Sequence, residues 1–159
     1  MIEYRKILKE DIPIIAMLYI KLALYIKQET KDPYFETNGL SEQALICSLE
    51  KDIQDETKQI IVAIENDNIV GFIAGAIIDC FLPFSKVTKV GYITGAYVSE
   101  ENRYNGIMKN LEKMITSYFM GHKLDYAELN VISNNFVGKK TWNKLGYITF
   151  REQMRKKLS

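Results

Sequence analysis

One histidine, two cysteines and three prolines in 159 residues leave little material for a metal site, a disulfide framework or a rigid linker. Cys47 and Cys80 sit in the apolar stretches "ALICSL" and "IIDCFL" without CxxC or Cys/His spacing, so both are expected to be buried thiols. Charge of one sign is lacking too: 21 Lys and Arg against 20 Asp and Glu give a formal net charge of +1. There is no basic stripe for nucleic acid and no general attraction to an anionic membrane. No apolar run reaches the roughly 18 residues of a membrane span, and "MIEYRKILKED" carries charges where a secretory signal has its apolar core. A reducing, cytoplasmic setting is expected. No repeat, low-complexity tract or Pro/Ser-rich linker divides the chain, so residues 1–159 are expected to form a single domain.

What is present is an ordinary globular mixture, 47% hydrophobic and 26% charged, with clear periodicity. Residues 2–7, "IEYRKI", predict a short strand. Asp11 is placed as an N-cap with Pro13 in the first turn, and Ile15, Leu18, Leu22, Tyr25 and Ile26 recur at helical spacing to about residue 28. After the loop "ETKDPYFETNGL", Ser41 caps a second helix with Leu40 and Leu45 as a staple and Leu49 and Ile53 continuing the stripe. "QIIVAIENDNIVGFIAGAIID" predicts a hairpin turning at 66–68, its second strand apolar on both faces and therefore central. A strand at 87–98 precedes a helix over 104–120 with Ile107, Leu111, Met114, Ile115 and Tyr118 on one face. "LDYAELNVI" predicts a strand, residues 135–145 a short helix ended by Gly146, and "YITFREQMRKKL" a final strand. The order βααβββαβαβ is that of an α/β fold.

The junction "YVSEENRYNGIMKNLEKM" is the informative stretch. A helix beginning there leaves its first N–H groups unpaired at the positive end of a dipole, an arrangement suited to phosphate oxygens. Gly106 allows close backbone approach, and Arg103 adds a fixed charge. The alternative is an ordinary strand-to-helix turn with a solvent-facing arginine.

The element order together with "VSEENRYNGIM" resembles the acetyl-CoA-dependent N-acetyltransferase superfamily, GNAT, over nearly the whole chain. The resemblance implies a mixed central sheet flanked by helices and acetyl-CoA as cosubstrate. In that family the backbone N–H groups of an Arg/Gln-x-x-Gly-x-Gly/Ala turn hold the coenzyme A pyrophosphate. Here the turn carries over to Arg103, Tyr104, Asn105, Gly106, Ile107 and Met108, with Val98 closing the preceding strand. "NFVGKKTWNKLGY" is similar to the second signature of the family, through Asn135, Gly138, Trp142, Gly146 and Tyr147. The resemblance also implies that the strand before the turn bulges and splays from its neighbour, so that Ala96, Tyr97 and Val98 meet the pantetheine arm through main chain. Gly91 and Gly95 fit such a bend or are simply small packing positions.

The pattern departs from the family at two places. Met108 replaces the usual small residue and is expected to pack beneath the helix. Trp142 stands where many members have a tyrosine that protonates the leaving thiolate, and an indole N–H is no titratable acid in this range. Either coenzyme A leaves unaided, as a thiol with a pKa of about 8.5 allows, or another hydroxyl substitutes, or the domain binds acyl-CoA without turnover. Counting back from Val98 puts Tyr92 where histone-type relatives have a glutamate base. Tyr92 is thus the candidate to order a water relay, with a structural strand tyrosine as the alternative. Glu100 and Glu101 are expected to serve as dipole partners, and His122 as a charge complement at the end of the main helix, remote from the chemistry. Tyr25, Tyr34 and Phe35 are candidates to wall the acceptor, and Asp32, Glu36 and Asp79 to attract an amine. The expected activity is acetyl transfer from acetyl-CoA to a primary amine, small molecule or peptide, by direct attack. A non-catalytic acyl-CoA-binding or sensor domain is the alternative, and a homodimer is left open.

Overall fold

The computed structural model describes residues 1–158. Its elements in chain order are β1 (Ile2–Lys6), α1 (Ile12–Thr30), α2 (Glu42–Asp52), β2 (Lys58–Glu65), β3 (Asn68–Asp79), β4 (Lys89–Val98), α3 (Ile107–Gly121), β5 (Ala127–Glu128) and α4 (Phe136–Lys144). The strands form one five-stranded sheet in the order β1-β2-β3-β4-β5. All neighbours pair antiparallel except β4 and β5, which are parallel. β3 is central, as its apolar faces require, and the hairpin turns through left-handed Asn66 and Asp67 at φ 49° and 62°.

Each sheet face carries its own core. On one side Phe72, Ala74 and Tyr97 pack with Ile15, Leu18 and Leu49 of α1 and α2. On the other, Ile61, Ile73 and Ile93 pack with Leu111, Ile115 and Phe119 of α3. Alternate residues of β3 thus enter opposite cores, the period-2 consequence of the pleat. α3 lies close to the sheet because Gly75 and Gly91 present no Cβ: an added one at Gly75 would come within 2.7 Å of the Phe119 ring, and one at Gly91 would penetrate it. Gly95 is likewise covered by the Tyr19 ring, 2.8 Å from where its Cβ would be. Packing therefore accounts for Gly91 and Gly95.

Ser41 caps α2 by accepting from the Ala44 N–H at 3.1 Å. Asp11 behaves differently from the expected cap. Its carboxylate turns back to accept from the Leu8 N–H at 2.7 Å and from Arg5 at 2.6 and 3.1 Å, tying β1 to the start of α1. Burial pushes this carboxyl up, but the Arg5 hydrogen bonds and the Leu8 N–H outweigh it, and it titrates below its ordinary value.

Four expectations are corrected. The strand "LDYAELNVI" contracts to Ala127–Glu128, and residues 147–158 form no strand. Alternation in "YITFREQMRKKL" is that of a half-buried strand, but β5 is too short to offer it a ladder, and Ile148 and Met154 stand 83% and 92% exposed. This segment is held by side chains instead: Phe150 against Phe81, Arg151 over the Phe81 ring, and Arg155 on Asp32 and the Tyr34 ring. The thiols are not buried either. Cys47 projects from the outer face of α2, and Cys80 follows β3 where the chain leaves the sheet. Finally, α3 begins at Ile107 rather than 104, after a turn through residues 103–106. Among the described residues no helix is long and apolar enough to cross a membrane.

Candidate active site

β4 and β5 touch only at Gly91–Ala127 and Tyr92–Glu128. From Ile93 onward β4 has no strand partner on that side among the described residues. Its other side explains the bend: Ala74 pairs with Gly95 and Gly75 with Ile93, leaving Thr94 as an extra residue. That bulge turns the second half of β4, with Ala96, Tyr97 and Val98, away from β5 and opens a gap between the strands. Sequence gave reason to expect a bend here but not that Thr94 is the residue it turns on.

The gap leads to the start of α3. The Ser99 N–H bonds to the Val70 carbonyl at 2.9 Å, and buried Asn102 donates to Glu65 at 2.7 Å, so the segment after β4 is fixed to the β2–β3 hairpin. Tyr104 and Gly106 then adopt left-handed conformations at φ 66° and 75°. For Tyr104 this costs about 1–2 kcal/mol; Gly106 adopts it freely. A Cβ on Gly106 would meet nothing within 4 Å, so the space over the turn is open. The first intrahelical bond runs from the Asn110 N–H to the Gly106 carbonyl at 3.2 Å. Ahead of it stand the N–H groups of Ile107, Met108 and Lys109, and no side chain caps them. These groups fit an anionic, phosphate-bearing ligand reaching them from the gap.

Arg103 sits beside this turn in a different role from the one its charge suggests. Its Nε donates to the Val98 carbonyl at 3.1 Å, and its guanidinium lies 5.0 Å from the Tyr25 ring centre and 5.7 Å from that of Tyr97. Glu100 is at 4.0 Å. The side chain thus closes the end of β4 and braces the turn. Asn105 and Tyr104 are exposed, Ile107 is buried, and half-buried Met108 packs against the α3-side core, as expected.

Asn135 caps α4 by accepting from the Gly138 N–H at 3.0 Å, and its amide lies 2.6 Å from where a Cβ on Gly138 would stand, so a larger residue there would shift the cap. Trp142 packs edge-on against Tyr147, ring centres 5.4 Å apart, on the α3-side core. The Tyr147 hydroxyl donates to Glu112 at 3.1 Å. Burial, then the Glu112 charge, pushes the Tyr147 phenol well up, and burial also raises Glu112. This pair was not apparent from sequence, because residues 112 and 147 belong to separate elements.

Tyr92 is half-buried on β4 next to Asn130 and Arg151; burial raises its phenol against both neighbours. Tyr25 belongs to the surroundings of Arg103, whereas Tyr34 is 76% exposed beside Phe35 and Arg155. Asp32 accepts from the Tyr34 N–H and Arg155, Glu36 pairs with Lys27 at 3.8 Å, and Asp79 with Lys89 at 2.8 Å. Each carboxylate is already paired. His122 lies at the end of α3, its Nδ1 2.9 Å from the Tyr118 carbonyl oxygen.

Comparison with known proteins points one way. A family model of the acetyltransferase (GNAT) family matches residues 23–147. No curated protein matches the sequence. The fold is similar to a mutant of the BH1408 protein from Bacillus halodurans, with 23% identity, 99% of both chains covered and a TM-score of 0.84. It is also similar to a predicted acetyltransferase from Clostridium acetobutylicum solved with acetyl-CoA, at 21% identity, 99% and 97% coverage and a TM-score of 0.79. AAC(6')-Iy in complex with a bisubstrate analog is similar at 15% identity, 100% and 99% coverage and a TM-score of 0.79. The structures share the fold, and the matched family spans the β4 bulge, the turn before α3 and the α4 cap: this chain belongs to the acetyltransferase (GNAT) family of acyltransferases.

Proposed function

We propose that the chain transfers the acetyl group of acetyl-CoA to a primary amine, of a small molecule or peptide in the cytoplasm, by direct attack and without a covalent enzyme intermediate. The observation that carries this reading is the gap between β4 and β5, which leads to uncapped N–H groups at the start of α3. Acetyl-CoA supplies an activated thioester. In this reading the main chain of Ala96, Tyr97 and Val98 lines its extended arm, and the turn from Tyr104 to Met108 receives the diphosphate. Arg103 holds that turn in shape through the Val98 carbonyl. Asn135 fixes α4, which brings Trp142 to the core beside α3.

The amine lone pair forms the new C–N bond, the C–S bond breaks, and the proton lost by the amine ends on the sulfur. Trp142 gives no acid assistance. Tyr92, whose phenol is raised by burial, is assigned the ordering of a water that relays the amine proton towards the sulfur. Trp142 is also the feature that favours the second reading, an acyl-CoA-binding domain without turnover. The two readings separate on release of coenzyme A thiol in the presence of an amine panel. Amine-dependent release is the expected result, whereas binding of acetyl-CoA with no amine-dependent release supports the sensor.

A further inference from the structure

β5 is the edge strand of the sheet and ends at Glu128. Asn130 still lies beside Tyr92 of β4, but no strand pairing continues past Glu128, and the chain passes through α4 to Tyr147. Residues 129–147 therefore bound the gap on the side opposite β4. Little holds them there. α4 is nine residues long, too short to be stable by itself, and none of its residues is buried. Phe136 and Val137 stand 75% and 49% exposed, while Trp142, with Tyr147 behind it, reaches the α3-side core.

Two side-chain hydrogen bonds fasten this segment, one at each face of the sheet. Before α4, the Asn134 amide donates to the Thr30 carbonyl at 3.1 Å. Thr30 is the last residue of α1, which packs with α2 on one side of the sheet. After α4, the Tyr147 hydroxyl donates to Glu112 at 3.1 Å, and Glu112 belongs to α3 on the other side. The segment thus spans from one helical layer to the other past the edge of the sheet, and the two bonds set how close α4 stands to the gap. Glu112 also follows Met108 by one helical turn on the same face of α3, and the Met108 N–H is among those proposed to receive the diphosphate. One end of the wall is therefore in register with the turn that would hold the cosubstrate.

We infer that Asn134 and Tyr147 are positioning residues, which act through the Thr30 carbonyl and Glu112 to hold the 129–147 segment as the outer wall of the gap and so retain acetyl-CoA there. The inference rests on the acetyl-transfer reading and adds to it what keeps the cosubstrate in place. The chemistry of each bond suits that task. A carboxylate accepting from a phenol is a stronger anchor than a bond between neutral groups. At the other end, the Asn134 amide reaches one of the carbonyls that the C-terminus of α1 leaves without an intrahelical partner. Neither side chain is assigned a contact with the reacting atoms; each acts by placing α4, and with it Trp142.

Trp142 is the only tryptophan of the chain, so its fluorescence reports where α4 stands. The test combines acrylamide quenching of Trp142 in the free protein with calorimetric titration of acetyl-CoA, in the wild-type chain and in Tyr147→Phe, Glu112→Leu, Glu112→Gln, Asn134→Ala and the double variant Tyr147→Phe/Glu112→Leu. Tyr147→Phe keeps the ring that packs on Trp142 and removes only the hydroxyl. It and Glu112→Leu should each raise quenching and weaken acetyl-CoA binding by about tenfold, the scale of one hydrogen bond to a charged group. The double variant should bind no more weakly than either single one, because both remove the same bond. Glu112→Gln retains an oxygen that accepts from the phenol and should stay within about threefold of the wild type, with quenching unchanged. Asn134→Ala, which removes a neutral bond, should raise quenching and weaken binding by about threefold. Unchanged affinity in either Tyr147→Phe or Asn134→Ala, unchanged quenching in either, additive losses in the double variant, or a Gln variant as impaired as the Leu variant would overturn the inference. Failure of the wild-type chain to bind acetyl-CoA would overturn the transfer reading itself, and this inference with it.

Discussion

At the scale of single residues, Trp142 is the residue through which the proposed lack of a proton donor can be tested. The indole packs on Tyr147 and the α3-side core, where it contributes area and shape and no titratable proton. Trp142→Phe is therefore expected to reduce single-turnover acetyl transfer only modestly, through packing. Trp142→Tyr is expected to raise the rate once a phenol replaces the indole, with general-acid assistance typically worth about 10²- to 10⁴-fold as the ceiling. Single-turnover transfer across pH, at matched acetyl-CoA occupancy, checks both. Collapse of the Phe variant to background with folding and binding intact would show the indole N–H acting directly.

At the scale of elements, α3 depends on glycines in the strands beneath it. Gly91→Ala puts a methyl group into the space of the Phe119 ring, so the helix or the ring has to shift. Overpacking of this kind costs about 1–3 kcal/mol, and a denaturation midpoint lowered without a change in slope would confirm it. An unchanged midpoint would mean that Phe119 rotates away freely. Most elements are visible in sequence because their local signals agree with their surroundings. Asn66 and Asp67 adopt the turn, Ser41 and Asn135 cap their helices, and Ile107, Leu111 and Ile115 recur on the buried face of α3. Signals failed where a partner decides the outcome. The alternation of Ile148, Phe150 and Met154 describes a face but cannot supply a neighbouring strand, and β5 ends after Glu128. The geometry of the turn before α3 was legible, since a left-handed Gly106 and uncapped N–H groups follow from the local sequence. The Thr94 bulge and the Glu112–Tyr147 pair were not, because each joins residues distant in sequence.

At the scale of the whole molecule, a sheet with a core on either face pairs β4 with β3 along its length, while on its other side β4 pairs with β5 only at Gly91 and Tyr92. Stability should respond to pH through Asp11, which ties β1 to α1. Its folded pKa lies below the unfolded value, so its contribution is full above the unfolded pKa of about 3.9 and is lost as pH falls through the folded one. Asp11→Asn should cost about 1.5–3 kcal/mol near neutrality, the worth of hydrogen bonds to a charged group. The deficit should shrink in acid, as urea denaturation of both proteins from pH 7 to pH 2 would show; a constant deficit would contradict the assignment.

The central claim is that the start of α3 receives the diphosphate of acetyl-CoA, and calorimetric titration of acetyl-CoA into the wild-type chain, Gly106→Ala and Gly106→Val tests it most directly. The side chains added at residue 106 enter open space and strain the left-handed φ of 75° that the turn adopts, so they both obstruct a ligand and deform the turn that presents the N–H groups to it, and circular dichroism confirms that each variant is otherwise folded. The account predicts binding by the wild type, weaker binding by the Ala variant and loss of binding by the Val variant. Equal affinity in all three folded proteins, or no wild-type binding at millimolar acetyl-CoA, would contradict it.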